Sequence, residues 1–468
     1  MFLGCCRRAA VHALRRSFAS RPPPRPPHLP PLLSRPPRSI LSHLPAFRAR
    51  FSSAAAAPIP PSPGVGRWLL LSSTLAFSVI VVGAVTRLTE SGLSITEWRP
   101  ITGVIPPLSH ADWLEEFEKY KATPEFKILN HSITLPDFKS IYFWEWSHRV
   151  LGRAVGFAFV FPLAYFAYKR TINRKLAWNL TGLALLIGAQ GALGWYMVKS
   201  GLEPLESPES VPRVSQYRLA AHLGAAFLLY AGMFWNGMAL IKDSKYADGK
   251  PWSGLVTNGK KTAGKMCQDI SKILANPKVR NFKRLSLALT GLVFVTAMSG
   301  AFVAGLDAGL IYNEFPLMGG RLAPPADELF STAYAKNTDH SDLWWRSLFE
   351  NPTTVQFDHR LLAMTTYTSA LLLWLRSRSP QMVAVLPPHV RISMTAAFAM
   401  ANLQVLLGIS TLWFAVPTPL AATHQAGSVA LLTAMLHVLL TLRRPGAAAR
   451  YWRQIKLRPA QAAKAGGQ

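Results

Sequence analysis

Apolar residues run along this chain in eight long stretches, at about 66–86, 141–168, 177–197, 215–241, 284–305, 355–375, 391–414 and 418–442. Roughly 20 apolar residues of helix cross a bilayer core, and a lipid-facing backbone has to satisfy its own polar groups. The pattern predicts an all-α polytopic membrane protein with eight transmembrane helices. The connections alternate in charge. One set is basic: Lys169, Arg170, Arg174 and Lys175, then eleven Lys or Arg against three Asp over 242–284, then Arg376, Arg378 and Arg391, then seven Lys or Arg and no acid from Arg443 onward. The other set leans acidic, with eight carboxylates against five bases over 88–140 and seven against three over 307–350. Positive charge stays on the side from which helices insert, so both termini and the basic connections share one side of the membrane.

The chain also repeats itself. Gly83-Ala-Val-Thr-Arg-Leu-Thr-Glu-Ser-Gly92 aligns with Gly300-Ala-Phe-Val-Ala-Gly-Leu-Asp-Ala-Gly309 at a constant offset of 217, and the match runs on to Glu97-Trp98 and Glu314-Phe315. Glu145-Trp-Ser-His148-Arg149 answers Gln356-Phe-Asp-His359-Arg360, Gln190 to Gly194 answers Gln404 to Gly408, and Ala220-Ala-His222 answers Ala422-Thr-His424. Matches in one order indicate duplication of a four-helix unit. Four is even, so both copies enter from the same side. The expected architecture is two parallel-repeat four-helix bundles, 66–241 and 284–442, joined by a basic linker, 242–283, and followed by a basic tail, 443–468.

Composition narrows the compartment. Half of the 468 residues are hydrophobic and only 16% are charged, which is poor for a soluble enzyme. A net charge of +28 would point to nucleic acid in a soluble chain, but ten of the arginines fall in residues 1–57, a stretch without any acid. The rest of the excess sits in short loops, so no nucleic-acid partner is expected. An Arg-, Ser- and Ala-rich, acid-free leader has the composition of an organelle transit peptide, here mitochondrial. The basic connections and both termini then face the matrix, and the two acidic loops face the intermembrane space. Cys5 and Cys6 lie in the leader, leaving Cys267, so neither a disulfide framework nor a thiolate metal site is available to the mature chain.

Most of the twelve histidines lie in the leader or loops, among them His110, His131, His340 and His389, and His437 reads as a core or interface residue. Four differ. His148, His222, His359 and His424 fall early in the second, fourth, sixth and eighth apolar stretches, which all run in one direction, and so they lie at similar depth. Ionisable groups inside a membrane are costly and by default functional. Two repeat-related pairs fit bis-imidazole binding of a heme between helices; a two-histidine copper site is the competing reading. Phe143, Trp144, Trp146 and Trp195, with Gly152, Gly191, Gly194 and Gly224, would frame a flat slot, unless the aromatics form an interface belt. Arg149 and Arg360, each after a histidine, could pair with heme propionates or equally with an acidic loop.

The copies diverge in one informative place. Glu145 lies three residues before His148, on the same helical face, whereas Gln356 holds the matching place before His359. A carboxylate can act as a general base where an amide cannot. The first bundle is thus the expected reaction site, with Glu145 catalytic, and the second the expected electron-transfer site. A salt bridge between Glu145 and Arg149 is the structural alternative.

Gly83-Ala-Val-Thr-Arg-Leu-Thr-Glu-Ser-Gly-Leu-Ser, Glu145-Trp-Ser-His-Arg, Asp358-His-Arg and Thr423-His-Gln in a duplicated eight-span chain resemble the mitochondrial heme A synthase family over roughly residues 66–442. The resemblance implies an oxidoreductase of the mitochondrial inner membrane that oxidises the C8 methyl of heme O, through a hydroxymethyl intermediate, to the formyl group of heme A for cytochrome c oxidase. It implies that His148 and His222 bracket the substrate heme, that His359 and His424 hold heme b, and that Glu145 matters for turnover. The partners it implies are a ferredoxin-like electron carrier, heme O synthase, cytochrome c oxidase assembly factors and a second copy of the chain. Bacterial relatives often carry a cysteine pair in the first acidic loop; residues 88–140 contain none.

Two other function classes compete. A di-heme electron-transfer cytochrome predicts like surroundings for both hemes, which the Glu145 and Gln356 difference opposes. A parallel-repeat transporter would need helices broken near the midplane, for which Gly291 and Gly300 are weak candidates.

Overall fold

The computed structural model describes residues 57–100, 102–203, 212–250, 252 and 271–465, with side chains to residue 456. The expected transit peptide up to residue 56, Cys5, Cys6, Cys267 and much of the 242–283 linker lie outside the described residues.

Each apolar stretch forms one continuous helix: α1 (Pro63–Leu88), α2 (Leu135–Tyr168), α3 (Arg174–Gly201), α4 (Gln216–Ala247), α5 (Pro277–Gly305), α6 (Pro352–Arg378), α7 (Pro388–Trp413) and α8 (Thr418–Thr441). Their starts follow from local chemistry. Asn173, Asn276 and Asn351 cap α3, α5 and α6, their side-chain oxygens accepting backbone N–H groups at 2.9, 2.9 and 3.0 Å. Each takes up a donor the first turn would otherwise leave unpaired. Pro63, Pro277, Pro352 and Pro388 occupy first-turn positions, where a missing N–H costs nothing. Among the described residues no strand occurs, only an isolated bridge between Met318 and Arg321.

Seven of these helices are long and apolar enough to cross a membrane. The helix outside that set is α6. It has 27 residues, but Gln356, Asp358, Arg360 and the hydroxyl run Thr365, Thr366, Thr368 and Ser369 dilute its apolarity. It packs between α5 and α7.

The two halves use one set of neighbours. In the first, α1 packs on α2 and α4, α2 on α3, and α3 on α4; in the second, α5 packs on α6 and α8, α6 on α7, and α7 on α8. They join through α1 with α8, α4 with α5, and α4 with α8. Burial follows this layout. Of the most apolar window, 39% is buried in α1, 39% in α4 and 44% in α8, against 11% in α2 and 6% in α3. The outer helices therefore leave wide apolar faces free for lipid. Close backbone approach fixes the α1–α4 pair: a Cβ on Gly66 would come within 3.0 Å of the Gly237 carbonyl oxygen, the small-residue packing that membrane helices favour. Across the halves, Gln425 donates to the Ile80 carbonyl at 3.0 Å, and the hydroxyls of Tyr230 and Thr433 lie 2.6 Å apart.

The loops leaving α1 and α5 share an unusual turn. Glu90 and Asp307, again 217 apart, both adopt left-handed φ values of 51° and 53°, uncommon for side chains with a Cβ. Beyond Glu90 the first acidic loop forms the helices His110–Lys121 and Pro124–Ile128, packed through Phe117 and Tyr120 on Phe138 and Tyr142 of α2. Arg87 at the end of α1 reaches Asp307 of the other half at 2.8 Å.

Candidate functional site

Each of the four singled-out histidines rests on a glycine of the preceding long helix. A Cβ built on Gly83 of α1 would lie 2.8 Å from Cε1 of His148 on α2, and one on Gly300 of α5 would lie 3.1 Å from Cε1 of His359 on α6. The other pairs match: Gly194 of α3 against His222 of α4 at 3.5 Å, and Gly408 of α7 against His424 of α8 at 2.9 Å. The repeat had aligned these glycines as sequence matches. Their role is steric: a Cβ on Gly83, Gly300 or Gly408 would crowd the imidazole, while one on Gly194 would only touch it.

The histidines meet in the pairs expected from the repeat. The ring centroids of His148 and His222 are 6.5 Å apart at an interplanar angle of 64°. That separation leaves room between them for a metal atom bonded to both at the about 2 Å typical of imidazole nitrogen. His359 and His424 lie within electrostatic reach of each other. His437 keeps its core role, with Nδ1 3.1 Å from the Ser393 hydroxyl. Its ring also meets that of His389, centroids 5.7 Å apart, so His389 is a packed residue of α7 and not simply a solvated loop histidine.

Glu145 is buried, 3% exposed, and every acceptor direction of its carboxylate is engaged. Oε2 accepts from the Ser94 hydroxyl and the Ile95 N–H, each at 2.8 Å. Oε1 accepts from Arg149 Nε at 3.1 Å and Nη2 at 2.6 Å. Arg149 spends its remaining donors on the carbonyls of Ile95 and Glu97, at 2.9 and 3.1 Å. Both arginines clamp a loop, by its backbone and not by its carboxylates. Arg360 donates to the carbonyls of Tyr312 and Leu317 at 2.8 and 3.0 Å. Tyr312 is Ile95 plus 217, so one clamp has been built twice.

The Glu145 and Gln356 difference now has a local cause. Glu145 accepts from the loop N–H at Ile95, whereas Gln356 donates through Nε2 to the carbonyls of Ala308 and Tyr312 at 2.8 and 3.2 Å. The polarity of the contact is reversed. An amide at 145 would not reproduce the contact as one does at 356, since its N–H₂ would face donors.

The expected aromatic frame is divided. Trp195 meets Trp98 at a tilt of 40° with centroids 5.8 Å apart, and Trp146 donates from Nε1 to the Val104 carbonyl at 3.1 Å. Both serve the loop, and Phe143, next to Trp144, is exposed. Among the glycines, Gly194 backs a histidine, Gly224 faces the Met298 sulfur at 3.0 Å, and a Cβ on Gly152 or Gly191 would meet nothing within 4 Å.

The donor chemistry suits heme. Two imidazoles per half, with a glycine against each ring, form a donor set that suits axial ligation in a preformed slot. The same residues fall inside the region matched by the profile of a family of cytochrome oxidase assembly proteins, COX15-CtaA, which covers residues 66–436. The chain belongs to this family. Heme A synthase COX15 of Saccharomyces cerevisiae is 45% identical over 388 residues, 82% of this chain and 76% of that protein. Heme A synthase COX15 of Homo sapiens is 44% identical over 380 residues, 81% and 83% respectively. A heme A synthase–mitochondrial ferredoxin fusion protein of Schizosaccharomyces pombe is 46% identical over 402 residues; the match covers 83% of this chain and 63% of the fusion.

Sequence reasoning passed over several buried or bonded residues near Glu145 and His359. Ser94 and Ile95 lie in a loop, and nothing in their spacing announces that they hold Glu145. Glu125 is another, a carboxylate 4% exposed in the first acidic loop. Ser299 was visible in principle: it directly precedes Gly300, where the first copy has Val82 before Gly83.

Proposed function

We propose that this chain is a heme A synthase, an oxidoreductase that converts the C8 methyl of heme O, through a hydroxymethyl group, to the formyl group of heme A. The carrying observation is the glycine-backed histidine pair built twice in one register, inside a family whose curated members are heme A synthases. Counted against water, oxidation of a methyl to a formyl group adds oxygen and releases protons and electrons in equal number. The site therefore needs a place for the substrate, a path for protons and an outlet for electrons.

His148 and His222 hold the substrate heme, and His359 and His424 hold a resident heme b. The resident heme supplies one-electron chemistry when bound. The chain's own residues bind, orient and screen. The Arg149 clamp seats the Gly92–Glu97 loop over the entry of α2, and Glu145, three residues before His148, places a carboxylate at the rim of the substrate site. Its carboxylate accepts from Ser94, Ile95 and Arg149, and it takes up a substrate proton by exchanging one of those bonds.

The chain is a multi-pass mitochondrial membrane protein; the finer reading places it in the inner membrane with both termini in the matrix. A ferredoxin-like carrier is the proposed electron partner, which the Schizosaccharomyces pombe fusion supports by joining both proteins in one chain. The test is extraction and chromatography of the hemes bound to the purified protein. Heme B together with heme O or heme A is expected. Heme B alone, with no turnover of added heme O, would instead mean a di-heme electron-transfer cytochrome.

A further inference from the structure

The two histidine pairs differ behind their rings. Ser299 Oγ lies 2.7 Å from Nδ1 of His359 and donates its one hydrogen to the Thr296 carbonyl at 2.8 Å. Toward the histidine the hydroxyl can therefore only accept. Nδ1 carries the proton, and Nε2 keeps its lone pair for a metal. On the partner ligand, the Gln404 amide nitrogen donates to the His424 carbonyl at 2.9 Å and, being a donor only, gives the His424 ring no acceptor.

The first half lacks the hydroxyl contact. The residue in register with Ser299 is Val82, which offers no acceptor, and Gln190, in register with Gln404, reaches only the His222 carbonyl, at 3.0 Å. Nδ1 of His222 is buried without a hydrogen-bond partner, and His148 is turned to the Val79 backbone, the register mate of the Thr296 backbone beside His359, with no side chain to accept from it. A ligating histidine normally passes its second N–H to an acceptor, which fixes the ring and makes it a stronger ligand.

We propose that Ser299 is a positioning residue that holds His359 in its metal-binding tautomer, and that the Ser299/Val82 difference makes the second pair the site of the retained heme and the first pair the site whose heme exchanges. This rests on the heme assignment made above and extends it to the division between resident and passing heme. A substrate site gains from weaker second contacts, because the product must leave; a resident site gains from stronger ones.

The experiment compares full-length wild type, Ser299→Val, Ser299→Thr and Val82→Ser, each purified in detergent, by optical redox titration and by heme retained after passage over apomyoglobin as acceptor. Ser299→Val is close in shape to the native residue and removes only the acceptor. Loss of such an outer contact typically weakens metal hold about 10- to 100-fold, so the low-spin heme should leave correspondingly faster. Its midpoint potential should rise, because the less electron-rich imidazole favours ferric iron less. Ser299→Thr keeps the hydroxyl and should match wild type in both readouts, while Val82→Ser should slow loss of heme from the first site. Unchanged potential and retention in Ser299→Val, or unchanged retention in Val82→Ser, would overturn the proposal. A His359→Ala control separates the two levels: if it keeps the low-spin signal, the heme assignment itself has failed; if it loses the signal while Ser299→Val stays normal, only the role of Ser299 has.

Discussion

Arg149 grips Glu145 from one turn further along α2, two of its nitrogens converging on a single carboxylate oxygen at 3.1 and 2.6 Å. Both side chains are largely buried, 16% and 4% exposed. Removing one member of a buried pair strands the other charge, at a cost of about 3–5 kcal/mol. Arg149→Ala should therefore lower the melting temperature in detergent by many degrees and expose the Gly92–Glu97 loop to protease. A melting curve and cleavage pattern like those of wild type would show that the clamp contributes little.

Glu125 makes a pH prediction. Burial, followed by the nearby charges of Glu145 and Glu90, pushes its carboxyl from the ordinary 4.5 up to about 8. The folded protein thus binds a proton that the unfolded chain has lost, and stability falls as pH rises from about 4.5 through about 8. Glu125→Gln should remove that loss, about 3–5 kcal/mol at full extent. Thermal melts of the two proteins should nearly coincide at pH 5 and separate by pH 9, with the variant the more stable. A difference that does not change with pH would contradict the burial argument.

Glycine substitutions test the cradles. Gly408→Ala places a carbon 2.9 Å from Cε1 of His424, so the ring has to move, and the low-spin heme spectrum of the purified protein should weaken or shift. Gly291→Ala, in α5 with nothing within 4 Å, is the control and should leave that spectrum unchanged. Equal spectra in both variants would mean that the glycine behind His424 does not set the ring position.

Loss of either axial ligand is the coarser test of the resident site. His359→Ala and His424→Ala should each abolish the low-spin heme b signal, because bis-histidine iron loses one of its two protein bonds. A normal signal in both would move the resident heme elsewhere.

Much of this was legible in the chain. Apolar run length placed the seven helices that are apolar enough to span, because lipid imposes one rule along the whole segment, and α6 forms at the remaining stretch without meeting that rule. The offset of 217 paired Gly83 with Gly300 and Glu90 with Asp307 before any geometry was known, although not that the first two are cradles and the second two share a left-handed turn. The loops were less legible. Which atoms of Ser94, Ile95 and Tyr312 meet positions 145 and 356 depends on contacts between distant segments, and no periodicity encodes the direction of a hydrogen bond. Composition alone also says little of α6, whose Gln356 and Arg360 are both buried and bonded to the second acidic loop.

The central claim is tested most directly by the ratio of heme O to heme A, measured by chromatography in cells that lack their own heme A synthase and carry only this chain. The wild-type chain should produce heme A. His148→Ala should accumulate heme O, and Glu145→Gln should accumulate heme O or its hydroxymethyl form while keeping the low-spin heme b signal. Heme A at wild-type level in both variants, at equal protein abundance, would contradict the placement of the reaction at the first histidine pair; absence of heme A with the wild-type chain would contradict the activity itself.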